Sequence, residues 1–141
     1  MSNQLKDRTE VKVRFGEVDS MGIVWHGNYV KYIEEGRESF GKKYGISYLD
    51  IYANDVMAPV VNMQIDFKKQ VQYGDILIVE TEFINTMAAK IIFRFKIFRK
   101  SDNELVATAE STQVFIDLNR EMLLYPPAFV LDWKKKVGLT G

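Results

Sequence analysis

The sequence predicts a single α+β domain, with one long helix packed on an antiparallel sheet and a shorter helix at the C-terminus. Three observations carry that expectation. From Tyr29 to Tyr44, apolar residues recur at spacings of three and four, the period of a helix with one buried face. From Val60 onward the period becomes two, in four stretches separated by turn residues, as in strands joined by short turns. The chain has 141 residues with no linker, repeat or low-complexity tract, so residues 1–141 are expected to form one domain with one core.

"VKVRF", Val11 to Phe15, alternates apolar and basic residues and reads as a short strand. The stretch "EVDSMGIVWHGNY" follows, from Glu17 to Tyr29. The long helix comes next, with Tyr29, Tyr32, Ile33, Gly36, Phe40 and Tyr44 on one face. Asn28 is its expected N-cap. Lys42 and Lys43 in the last turn and Gly45 after it mark its end. Gly36, in mid-helix, costs about 1 kcal/mol relative to alanine and implies that another backbone comes close.

"VVNMQIDF" places Val61, Met63, Ile65 and Phe67 on one face of a strand. "YGD", Tyr73 to Asp75, is a turn, and "ILIVETEFI" is the next strand. A break near "TMAAK" leads to "IIFRFKIFR", and the "SDN" turn leads to "ELVATAESTQVFID", expected as one long final strand. These strands are expected as an antiparallel meander. "PPAFVLDWKKKVG" is the C-terminal helix, opened by proline, closed by Gly138 and apolar along Phe129, Val130, Trp133 and Val137.

Composition narrows the function. Lys+Arg and Asp+Glu balance at 19 each, which argues against a nucleic-acid or anionic-membrane binder, since those need a cationic field. There is no cysteine and a single histidine, His26. Disulfides, thiol nucleophiles and thiolate metal sites are therefore excluded, and a zinc site lacks the three or four ligands it needs. "MSNQLKDRTE" has no apolar core of a leader, and no apolar run is long enough to span a bilayer. The expected location is cytoplasmic. G-x-S-x-G, Walker and dinucleotide glycine patterns are all missing.

Carboxylates and backbone donors remain. Gly27 and Asn28 stand at the start of the long helix, where the first N–H groups lack intrahelical acceptors and carry the positive end of the dipole. Such groups stabilise an oxyanion on a carbonyl. Asp19 lies nine residues before Asn28, in a loop that can fold back over that helix end. A carboxylate facing a polarised carbonyl either attacks it or deprotonates a water, and the apolar run Ile23-Val24-Trp25 would exclude other water. The bland reading of Asp19 is a turn residue, that of His26 a core histidine, and that of Gly22 and Gly27 simple turn glycines.

At these residues the sequence resembles the acyl-CoA thioesterases of the hot-dog fold, in the branch typified by 4-hydroxybenzoyl-CoA thioesterase. The matching segment is "VRFGEVDSMGIVWHGNYVKYIEEGR", with the pattern D-x-x-G-[IV]-V-[WYF]-[HY]-x-x-[YF] on Asp19, Gly22, Ile23, Val24, Trp25, His26 and Tyr29. "APVVNMQIDFKKQVQYGDILIVET" matches the family's strand–turn–strand, and the likeness runs from about Val11 to Asp117.

The resemblance implies a central helix wrapped by a curved antiparallel sheet. It implies a homodimer or homotetramer with active sites at the dimer interface, acting on an acyl-CoA or acyl carrier protein thioester. It assigns the catalytic carboxylate to Asp19 and the carbonyl-polarising N–H to His26, with Gly27 beside it. Gly22, Val24, Trp25, Asn28 and Tyr29 fall around the substrate. Where some members carry Arg-Arg-Lys toward the nucleotide phosphates, this chain has Ala88-Ala89-Lys90, so only Lys90 carries over. Coenzyme A enters as part of the substrate, and no cofactor or metal is expected.

Lys68 and Lys69, at a strand end, are further phosphate candidates. Glu34 is expected to face solvent or a partner, Glu35 the site or solvent, and Lys134 to Lys136 a solvated helix face. Three alternatives stand. A hot-dog hydratase or dehydratase pairs an aspartate with a histidine some five residues on, whereas here the gap is seven. A non-catalytic acyl-thioester-binding protein would use the same fold. A cone-shaped isomerase would also lay a helix on a curved sheet, but usually begins with several helices.

Overall fold

Strand β1 (Leu5–Lys12) opens the computed structural model, which describes residues 5–139. A 3-10 turn (Phe15–Glu17) and a second one (His26–Asn28) lead into α1 (Tyr29–Tyr44). There follow α2 (Tyr48–Tyr52), β2 (Val56–Met57), β3 (Val60–Phe67), β4 (Ile76–Ile84), β5 (Lys90–Arg99), β6 (Glu104–Val114), β7 (Ile116–Asp117) and α3 (Ala128–Lys136). The main sheet runs β1-β4-β5-β6-β3, all antiparallel, and β2 pairs with β7 apart from it. The single-domain α+β expectation stands for the described residues.

The long helix spans the predicted residues, ending at Gly45 in the left-handed conformation (φ 77°) with basic residues in its last turn. Tyr32, Ile33 and Phe40 are fully buried along α1 and meet the inward face of the sheet, where Leu77, Val79, Phe93, Phe95 and Ile97 alternate inward. Gly36 explains how close the helix comes. A Cβ there would stand 2.5 Å from Val79 Cγ1 and 2.8 Å from Thr81 Oγ1. The close neighbours are two β4 side chains rather than the backbone expected.

Several expectations need correction. The first strand lies earlier than Val11–Phe15, and only Val11 and Lys12 of that stretch belong to it. Its inward positions, Leu5, Asp7, Thr9 and Val11, hide the period of two because two of them are polar. Asp7 is buried all the same, with Oδ2 accepting the Ser39 hydroxyl at 2.6 Å. The meander holds for β4, β5 and β6 only, since β3 crosses to the far edge and pairs with β6. The final strand breaks at Phe115, whose fully buried ring draws the chain inward, and β7 leaves to pair with β2. Helix α2 was not foreseen; Ser47 and Asp50 close a capping box around its first turn.

Asn28 does not cap α1, because its own backbone is already helical (φ −77°, ψ −14°). Lys134 departs from the solvated face expected of it. It is buried, and its ammonium donates to the Thr86 carbonyl at 2.7 Å. Among the described residues, no helix is long and apolar enough to cross a membrane. The polar N-terminal segment read for a leader falls partly outside the described residues.

Candidate active site

The stretch from Glu17 to Trp25 folds as a small hairpin. The Asp19 N–H donates to Ile23 O at 2.8 Å and the Trp25 N–H to Glu17 O at 3.1 Å, with Val18 and Val24 bridged between them. Gly22 turns the chain at φ 78°, in the left-handed region where a side chain is strained. The hairpin is pinned to the segment before β4 by the Val24 N–H on Val71 O (2.8 Å) and the Tyr73 N–H on Gly22 O (3.3 Å).

Asp19 sits at the neck of this hairpin, exposed to solvent. Its Oδ1 accepts the N–H groups of Met21 (2.8 Å) and Ile23 (3.2 Å). Both bonds fall on one oxygen, and no described residue donates to the other. The carboxylate is thus oriented while half of it stays available. Asp19 is a turn residue whose second carboxylate oxygen stays open among the described residues.

The turn His26–Asn28 enters α1 directly, since the Tyr29 N–H already bonds to His26 O. Among the described residues nothing accepts the N–H of His26 or of Gly27. These are the first donors of the helical stretch, with the dipole behind them. The Trp25 indole lies against Gly27, whose missing side chain makes the room.

Asp19 and His26 line one open cleft of about 340 Å³ together with Ile23, Val24, Trp25, Tyr29 and Phe67, and Lys68, Lys69 and Gln70 complete its wall. The rings form a chain. Trp25 and His26 lie 5.0 Å apart, His26 and Phe67 6.1 Å, and Phe67 and Tyr29 4.9 Å. The His26 ring is exposed in this chain, not the half-buried core group of the bland reading. Tyr29 is buried, and that burial pushes its hydroxyl up from the ordinary value.

Of the residues singled out from the sequence, Asp19, Val24, Trp25, His26 and Tyr29 share the cleft, as do Lys68 and Lys69. Gly22 and Gly27 shape the backbone beside it. Asn28 is turned away, its Nδ2 donating to Glu17 O at 2.8 Å. Glu34 reaches the Tyr48 hydroxyl at 3.4 Å, and Glu35 is exposed on α1 outside the cleft. Lys90 begins β5 and pairs with Val114, whereas Phe67 pairs with Ala107 and Ala107 with Ile97. Seven residues of strand, roughly 23 Å at about 3.3 Å each, separate Lys90 from the cleft of the same chain.

Two residues were missed. Glu17 joins the hairpin to α1, with Oε1 accepting the Tyr32 hydroxyl at 2.9 Å. Arg37 is buried inside α1's apolar face, bonded to Gln113 Oε1 and Ile46 O at 3.0 Å each. Each pairing spans residues distant in sequence or a charged position inside an apolar stripe, so no local pattern announces it.

Comparison with known proteins places this geometry. The model of the thioesterase-like superfamily matches residues 13–134. A Bacillus subtilis (strain 168) protein named "Putative acyl-CoA thioesterase YneP" is 34% identical over 110 residues, covering 78% of this chain and 79% of its own length. The DHNA-CoA thioesterase of Staphylococcus aureus superposes with a TM-score of 0.82 at 26% identity, over 94% of this chain and 91% of that one. The 4-hydroxybenzoyl-CoA thioesterase of Pseudomonas sp. strain CBS-3 shares the fold, with a TM-score of 0.78 at 22% identity over 91% of this chain and 98% of its own. A family match over most of the chain, a relative at that identity and the helix-on-sheet architecture make this protein a member of the thioesterase-like superfamily, on the hot-dog fold.

Proposed function

We propose that this protein hydrolyses acyl-CoA thioesters to a free carboxylic acid and the coenzyme A thiol, with Asp19 as the reacting carboxylate. One observation carries the reading: Asp19 and His26 line the same cleft, and the His26 N–H has no acceptor among the described residues. Family membership and the names of the relatives support the reaction class.

In this mechanism the thioester carbonyl oxygen points at the N–H groups of His26 and Gly27. They stabilise the negative charge that develops as the carbonyl becomes tetrahedral, which matters most in the transition state. Asp19 then follows one of two routes. As nucleophile it bonds to the carbonyl carbon, the C–S bond breaks, and water hydrolyses the resulting anhydride. As general base it takes a proton from the water that attacks the carbonyl carbon, and the tetrahedral adduct collapses with cleavage of the C–S bond and departure of the thiolate. No metal or redox group is required by either route.

The apolar wall of Ile23, Val24, Trp25 and Phe67 suits an acyl group, and Lys68 and Lys69 suit an anionic carrier. The edge strand β3 leaves Val61 exposed at one end and Phe67 exposed at the other, where the cleft lies, and unpaired strand edges invite pairing. A homodimer closing over β3 fits this, with the cleft at its interface.

Thiol release from a panel of acyl-CoAs, wild type against Asp19→Asn, tests the proposal. The expected loss is about 100- to 10,000-fold in kcat. Equal rates would remove Asp19 from the mechanism, and hydration of an enoyl thioester without hydrolysis would point to the hydratase alternative. Single-turnover incorporation of labelled water oxygen into Asp19 identifies the nucleophilic route.

A further inference from the structure

We infer that Glu17 is the positioning residue of this site, holding the Asp19 hairpin and the His26–Gly27 donors in a fixed relation through its bond to Tyr32. The inference rests on the thioesterase reading above and adds to it a residue that neither composition nor motif singled out.

Glu17 accepts four hydrogen bonds. The Glu17 carbonyl accepts the Trp25 N–H at 3.1 Å and Asn28 Nδ2 at 2.8 Å. Its carboxylate Oε1 accepts the Tyr32 hydroxyl and the Arg14 N–H, each at 2.9 Å. Trp25 and Asn28 flank the two donors, His26 and Gly27, on either side. Tyr32 lies one turn into α1 and is fully buried. Asp19 is two residues along the chain from Glu17. The reacting carboxylate and the oxyanion donors thus meet through a single residue.

This arrangement has a functional rather than a generic reading. A hairpin base needs only its backbone pairing, and the Trp25–Glu17 bond supplies that. The Asn28 and Tyr32 bonds do something further, because they tie the hairpin to the first turn of α1 in two places. Catalysis of carbonyl addition depends on such spacing, and a displacement of about 1 Å costs roughly 100-fold. The half-buried Glu17 carboxylate is occupied by this network and is not among the groups lining the cleft. It acts through other groups, not on substrate. Burial, followed by the bond to Glu17, pushes the Tyr32 hydroxyl well up, so it remains a donor throughout the neutral range.

The experiment compares Glu17→Ala, Glu17→Gln, Tyr32→Phe and the double variant Glu17→Ala/Tyr32→Phe with wild type on the best acyl-CoA of the panel. Temperature is kept well below each measured Tm. For Glu17→Ala and Tyr32→Phe, kcat is expected to fall about 10- to 100-fold while KM changes less than about threefold. The double variant should be no slower than the slower single one, since both remove the Glu17–Tyr32 bond and Glu17→Ala already removes the Arg14 bond as well. Glu17→Gln keeps an acceptor oxygen for Tyr32 and should recover most of the rate.

A purely structural role would lower Tm without this separation of kcat from KM and without rescue by glutamine. Wild-type kcat in Tyr32→Phe and Glu17→Ala, with Asp19→Asn inactive, would overturn the inference and leave the thioesterase reading standing. Absence of turnover by the wild type on any thioester would overturn both. Tyr32→Phe probes the same bond from its other end, so the result does not depend on Glu17→Ala folding.

Discussion

The indole ring of Trp25 lies against the α-carbon of Gly27, so close that a Cβ built there would stand 2.0 Å from ring carbon Cζ3. The ring is 57% exposed and free to swing outward, so the fold need not yield. Gly27→Ala is expected to change Tm by only a few degrees while moving the donor turn or the ring. Activity should fall about 10- to 100-fold, on the scale of a small misplacement. Steady-state rates together with tryptophan emission check this, the emission shifting as the Trp25 ring moves into water.

Gly36 gives the opposite outcome. Alanine is favoured over glycine in a helix by about 1 kcal/mol. Here the added methyl would meet Val79 Cγ1 at 2.5 Å and Thr81 Oγ1 at 2.8 Å. Both belong to buried, β-branched side chains on a central strand, which have little room to turn. The overpacking costs about 1–3 kcal/mol and outweighs the propensity gain. Urea unfolding should show Gly36→Ala less stable than wild type, and a more stable variant would contradict this packing.

These two glycines also show how much of the fold is legible in the chain itself. The period of α1, its glycine stop and the close approach at Gly36 all follow from local rules, and a motif pointed to the two residues, Asp19 and His26, that share the cleft. What escaped depends on long-range pairing. β1 was missed at Asp7 because a buried carboxylate with a serine partner looks like a surface position. The place of β3 at the far edge was missed because a turn such as "YGD" gives no sign that the strands it joins do not pair. Lys134 was read as solvated because its partner, the Thr86 carbonyl, lies 48 residues away in the chain.

Arg37 belongs with these, and it should be a point of stability. Its guanidinium is buried between the rings of Tyr48 (4.8 Å) and Phe93 (4.7 Å) and ties α1 to Gln113 on β6 and to the Ile46 carbonyl. Arg37→Ala leaves both acceptors buried and unpaired and opens a cavity, at a cost of about 3–5 kcal/mol. Arg37→Lys keeps the charge but not the planar fork and should also be destabilised. Denaturant unfolding of both variants measures this.

Alkaline pH should weaken the fold through its tyrosines. Burial, ahead of nearby charges, raises Tyr29, Tyr32 and Tyr48 above their ordinary value of 10.0. An unfolded chain then releases these protons first, so above about pH 10 the folded state holds more protons and stability falls as pH rises. Below that pH the contribution is fully present. Spectroscopic titration of phenolate should find fewer tyrosines ionised in the folded protein than in urea at the same pH. Tyr32→Phe should make the loss of stability with pH less steep.

The carrier end of the substrate separates two sets of lysines. Lys68 and Lys69 line the Asp19 cleft, while Lys90 stands at the other end of the sheet of the same chain. A phosphate held within one chain would meet the first pair, and a phosphate reaching Lys90 would have to extend to another chain. Exposed ion contacts contribute about 0.2–1 kcal/mol, so each lysine that meets a phosphate should be worth up to about fivefold in KM at low salt. Lys68→Ala/Lys69→Ala is expected to raise KM for an acyl-CoA, to lose that effect as salt rises, and to leave an acyl-pantetheine, which lacks the nucleotide, unchanged. If Lys90→Ala alone shows this pattern, the phosphates lie across a subunit boundary and the lysines at the cleft serve another purpose. Running both substrates against both variants at two salt concentrations decides between them.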